Sequence, residues 1–130
     1  MAKTLAMVFG AVFVLVGLLG FVSNPLVGAE GIFETDLLHN LVHVLFGGIL
    51  LGVAMKSPAS SSKWLLILGV VYLVLAALGF LTIGEGGQLL GLVAMNSADH
   101  WLHVVLGVVL VGAGVATKGG GNSMPAGPVM

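Results

Sequence analysis

The sequence has four histidines. They fall in two short stretches, Asp36-Leu37-Leu38-His39-Asn40-Leu41-Val42-His43 and Asn96-Ser97-Ala98-Asp99-His100-Trp101-Leu102-His103. His39 and His43 stand four residues apart, as do Asp99 and His103, so on a helix each pair shares a face. If the helices that carry them face each other, His39, His43, Asp99 and His103 converge as a metal-ligand set that zinc, copper, iron or manganese would accept. A second chemistry is open to His43 and His103, each followed one turn later by a glycine, Gly47 and Gly107. A small neighbour beside an axial ligand leaves room for a haem or a chlorophyll-type pigment. A third reading needs no ligand. Asp36, Asn96 and Asp99 stand where helices begin and can cap free backbone donors, while Asp36, Asn40, Asn96 and His100 belong to a polar network that bonds helix to helix. This structural network is the leading expectation, and the metal or tetrapyrrole centre is the alternative.

The elements that position these residues follow from composition. Of 130 residues, 58% are hydrophobic and 7% charged, with a mean hydropathy of +1.19. That is more apolar surface than a soluble domain of this length can bury. Apolar runs of about the 20 residues needed to cross a hydrocarbon core recur at about 4–22, 36–55, 64–83 and 98–117. The expected fold is an all-α integral membrane protein, with four transmembrane helices as two repeated helical hairpins. One domain, 1–118, holds the spans, and residues 119–130, rich in Gly and Pro, read as a disordered cytoplasmic tail. A secretory signal with Lys3 as its basic region is a weaker reading of the first span, since signal cores are shorter and the segment has a counterpart later in the chain.

Between the spans, Ser23 to Thr35 carries Asn-Pro turn chemistry, and Lys56 to Lys63 is a short polar connection. Gly84 to Met95 is a Gly-rich, partly apolar loop that can lie along the membrane surface. Lys3, Lys56, Lys63 and Lys118 fall on one side of a four-span chain, and Glu30, Glu34, Asp36, Glu85 and Asp99 near the other. The positive-inside rule then puts both termini in the cytoplasm and the histidine stretches toward the outer leaflet.

Doubling is visible as well. Leu19-Gly20-Phe21 and Leu78-Gly79-Phe80 close the first and third spans. Setting His43 on His103 also matches Gly47 with Gly107, Asp36 with Asn96, His39 with Asp99 and Asn40 with His100. Copies of two spans each share one orientation and would be related by an axis along the membrane normal.

Several classes are excluded. Four Lys and no Arg cannot form the basic surface that nucleic-acid binding needs. Without Cys there is no disulfide framework, thiolate nucleophile or iron–sulfur ligation. No nucleophile elbow, phosphate loop or zinc-protease signature is present, so a non-enzymatic protein is expected.

The paired pattern His39-Asn40-x-x-His43 before a Gly-rich helix, then Asn96-x-Ala98-Asp99-x-x-Leu102-His103 and Gly107, resembles a domain-of-unknown-function family of small bacterial four-span membrane proteins. The likeness covers about Thr4 to Thr117. It implies a multi-pass protein of the bacterial cell membrane, with His39, Asn40, His43, Asn96, Asp99 and His103 as signature positions and His100 at a variable one; it implies no activity. Lipid is the expected surroundings. The expected partners are other membrane subunits or further copies of the chain, with this protein as an accessory or structural subunit of a larger complex.

Overall fold

The computed structural model describes residues 1–118; the expected tail at 119–130 lies outside the described residues. Four helices, α1 (Ala2–Leu19), α2 (Leu37–Lys56), α3 (Ser61–Thr82) and α4 (Ser97–Lys118), are each long and apolar enough to cross a membrane. Their surfaces invert those of a soluble bundle. Val12, Leu15, Leu45, Val74, Val105 and Val108 face outward, while His39, His43, Asp99, His100 and His103 are buried. Apolar faces outward and polar groups inward are what a hydrocarbon solvent selects. The protein is a multi-pass membrane protein of four helices.

α1 packs along α2, and α3 along α4, on seams of small residues. A Cβ on Gly47 would meet the Gly10 carbonyl at 2.6 Å, and one on Gly107 would meet the Gly69 carbonyl at 3.0 Å. Side-chain-free positions let these backbones touch, which matters where lipid supplies no hydrophobic drive between helices. Each hairpin thus has one such glycine pair, Gly10 with Gly47 and Gly69 with Gly107. Phe13 of α1 and Tyr72 of α3 then meet across the centre, ring centroids 5.4 Å apart, in a core with Leu50, Leu65, Leu68 and Leu110.

The boundaries shift slightly from the expected spans. The Lys56–Lys63 connection is shorter than its polarity implies, because Pro58–Ser60 form a 3₁₀ turn and α3 already begins at Ser61. At that end Ser62 donates to Thr117 Oγ1 at 2.7 Å, tying α3 to α4, and Lys3, Lys63 and Lys118 surround a common mouth.

The opposite end holds the larger correction. Gly84 to Met95 does not stay a loop: β3 (Gly86–Leu89) and β4 (Val93–Asn96) form an antiparallel hairpin. Gly87 at φ 144° and Gly91 at φ 72° supply backbone conformations open to glycine, and Leu90 shares the turn at φ 57°. In the first connection Asn24 organises the turn, its Oδ1 accepting from Leu26 and Val27 N–H and its Nδ2 donating to Leu19, Val22 and Val27 carbonyls. A short parallel pairing of β1 (Val27–Gly28) with β2 (Phe33–Glu34) follows. Asn96 Nδ2 donates to the Ile32 carbonyl at 2.9 Å, so the two connections are joined over the end of the bundle where the histidines lie.

Candidate metal centre

Both histidine-bearing helices start on side-chain caps. Asp36 is the N-cap of α2, and its Oδ1 accepts from the His39 N–H at 2.9 Å. At α4 the cap is reciprocal: Asp99 N–H donates to Asn96 Oδ1 at 3.0 Å and Asn96 N–H to Asp99 Oδ2 at 2.9 Å. This is a capping box, satisfying donors that a helix start otherwise leaves orphaned. The caps fix where each helix begins and therefore which way its histidines turn.

One residue of β4 then orients the first imidazole. Ala94 of β4 gives its N–H to Asp36 Oδ2 at 3.0 Å, and its carbonyl lies 2.7 Å from His39 Nδ1. A carbonyl only accepts, so His39 carries its proton on Nδ1 and keeps Nε2 as a lone pair. A backbone carbonyl on the far nitrogen is the arrangement that sets tautomer and ring angle in metal-ligating histidines.

His39, His43 and His103 come together. One nitrogen from each lies within 4.8 Å of the others, and all three residues are buried. Their ring centroids form a triangle with sides of 5.1, 5.9 and 6.4 Å. Nδ1 of His43 and Nδ1 of His103 are buried with no hydrogen-bond partner among the described residues. Tyr72 is the member that sequence reasoning passed over. Its ring is 5.1 Å from His103 and 6.2 Å from His43, it is 1% exposed, and its hydroxyl is also without a partner. The only signal in the sequence is that it is the sole tyrosine. Phe13 closes the inner side, edge-on to His43 at 6.0 Å.

The remaining residues of the two stretches stand elsewhere. Asp99 is outside the converging group, its carboxylate spent on the Asn96 N–H. His100 Nε2–H donates to the Gly84 carbonyl at 2.9 Å, and its ring rests on Gly79 as the Asn40 side chain rests on Gly20. Asp36 and Asn96 cap and tie loops, as described above. Beside the three imidazoles a cavity of about 230 Å³ opens between α2, α3 and the β3–β4 hairpin.

The family model for a domain of unknown function, DUF4383, matches residues 3–116. The chain belongs to that family. No curated protein and no solved structure shows a significant match. What this DUF4383 chain adds to its family's description is therefore geometric: capped helices, an imidazole fixed by a backbone carbonyl, and three buried nitrogen donors at one end of a four-helix bundle.

Proposed function

We propose that the protein is a small, non-enzymatic membrane protein that binds a divalent transition-metal ion through His39, His43 and His103. The observation that carries this reading is the convergence of three buried imidazole donors within 4.8 Å, two of them with a ring nitrogen left unpartnered. An interior polar atom without a partner costs about 1–3 kcal/mol, and an ion bound at the three imidazoles would relieve that cost. Zn–N bonds of about 2.0–2.1 Å place tetrahedral ligand nitrogens roughly 3.3 Å apart, a contraction that side-chain torsions supply. Three neutral imidazoles suit zinc or copper rather than magnesium or calcium, and three protein ligands would leave a fourth position for water or another ligand. A tetrapyrrole held by His43 and His103 fits less well, because the near-equilateral triangle sets the His39 ring where a macrocycle would spread.

A second reading keeps the cluster structural in an accessory subunit. The bonds from His39 to Ala94 and from His100 to Gly84 support it, since both tie a helix to the β3–β4 segment. For either reading we place the protein in the bacterial cell membrane, as the resemblance implies, with both termini cytoplasmic, on the strength of the lysines gathered at one end.

Elemental analysis of protein purified without a His tag, after exposure to zinc and copper, tests the proposal. Stoichiometric metal is expected in the wild type and in His100→Ala and Asp99→Asn, and its loss in His39→Ala, His43→Ala and His103→Ala. Metal absent throughout, or lost equally in His100→Ala, would overturn the reading.

A further inference from the structure

The cavity beside the imidazoles has an almost wholly apolar surface, from residues such as Phe46, Val71, Leu75 and Met95. The polar residues among its neighbours are His39, His43, His103 and Tyr72, which lie against it. The outer wall is the tip of the β3–β4 hairpin, and it is apolar on its outward side too: Leu90 is 76% and Leu92 59% exposed. In a protein read as membrane-embedded, leucines so exposed lie in the acyl region or its boundary, so access to the cavity runs from lipid rather than from water.

Size and chemistry narrow the occupant. An apolar cavity of about 150 Å³ takes a benzene ring, so about 230 Å³ accommodates a substituted six-membered ring. Phe46 and Tyr72, edge to face with centroids 5.8 Å apart, offer aromatic walls of the kind rings pack against. The Tyr72 hydroxyl is a buried donor with no partner. A saturated acyl chain would satisfy the walls and leave the hydroxyl unmet, whereas a ring oxygen answers both.

We propose that this cavity binds the ring of a membrane-dissolved quinone or phenol, an oxygen of the ring meeting the Tyr72 hydroxyl and the apolar tail running out past Leu90 into lipid. With an ion held by His39, His43 and His103, that oxygen would stand beside it as a further ligand. That second contact alone rests on the metal reading; the pocket, its walls and Tyr72 do not.

The chain has one tyrosine, so 3-fluorotyrosine labelling gives a single ¹⁹F resonance at the site. Labelled protein in lipid nanodiscs is titrated with a decyl-tailed benzoquinone and, separately, with decane, before and after metal is stripped by a chelator. The expected result is a saturable displacement by the quinone, none by the alkane, and binding about tenfold weaker or worse in Val71→Phe and Leu75→Phe, which fill the cavity and leave every histidine in the chain. Both variants should retain the wild-type metal content. A response that does not saturate, that decane reproduces, or that both filling variants leave intact overturns the proposal. If the protein proves metal-free yet the quinone still displaces the resonance, the metal reading fails and this one stands; stoichiometric metal with no quinone response is the converse.

Discussion

Asp36 gives its two carboxylate oxygens to two tasks, one capping α2 and one holding the Ala94 N–H. Asp36→Asn separates them. The amide oxygen can still accept from His39 N–H, but its NH₂ then confronts the Ala94 N–H, donor against donor. The clamp that fixes the His39 tautomer loosens while the helix start survives. Metal affinity by chelator competition should fall about 10–100-fold, with a stability loss of only about 1 kcal/mol. Asp99→Ala should do the reverse, costing about 1 kcal/mol in unfolding experiments for the lost cap and leaving metal content intact. At this scale the sequence was partly legible. The spacing of His39 and His43 placed them on one face, and their meeting with His103 needed only that α2 and α4 approach. Asp99 was harder, because four residues before His103 and third in its helix are the same position. Only coordinates say whether such a carboxylate turns to the bundle or back to the cap. Tyr72 had no spacing rule to mark it, since its neighbours in space come from other helices.

The glycines sort by element rather than by count. Gly10, Gly47, Gly69 and Gly107 sit where an added Cβ would strike backbone or side chain across a seam, while Gly48, Gly52 and Gly112 have nothing within 4 Å. Gly47→Ala and Gly107→Ala should therefore force their hairpins apart and lower stability by more than about 1 kcal/mol. Gly52→Ala and Gly112→Ala should be neutral or stabilising by up to about 1 kcal/mol, the helix-propensity difference, in thermal or denaturant unfolding of the isolated chain. If a partner helix seats on the open glycines, Gly52→Leu will leave that isolated stability unchanged and still release the partner on detergent extraction. Sequence pattern could not divide these two sets, since both read as small residues in apolar runs. The β3–β4 hairpin was hidden for a related reason. Gly86, Gly87 and Gly91 break the alternation by which strands are recognised, and the pairing is held by turn conformation and by the bonds of Ala94 and Asn96 to the other connection.

For the molecule as a whole, the number of spans was open to hydropathy because a lipid solvent demands it of every crossing segment. Which end faces which compartment is a matter of charge. The three lysines around the mouth at one end oppose the acidic residues of the two long connections, Glu30, Glu34 and Glu85. The positive-inside rule acts through such short flanking segments, so the tri-histidine end should face out of the cell. The chain has no cysteine, which makes the orientation directly measurable with exposed positions taken singly. Glu30→Cys and Glu85→Cys should react with a membrane-impermeant maleimide on intact cells, and Ala59→Cys, in the connection between α2 and α3, only after the membrane is opened. The reverse pattern would put the centre at the cytoplasmic face. Orientation decides which pool of metal lies nearer to it: the joined connections cap the histidine end, and an ion from the lysine end would have to pass the apolar core of Phe13, Leu50, Leu65 and Leu110.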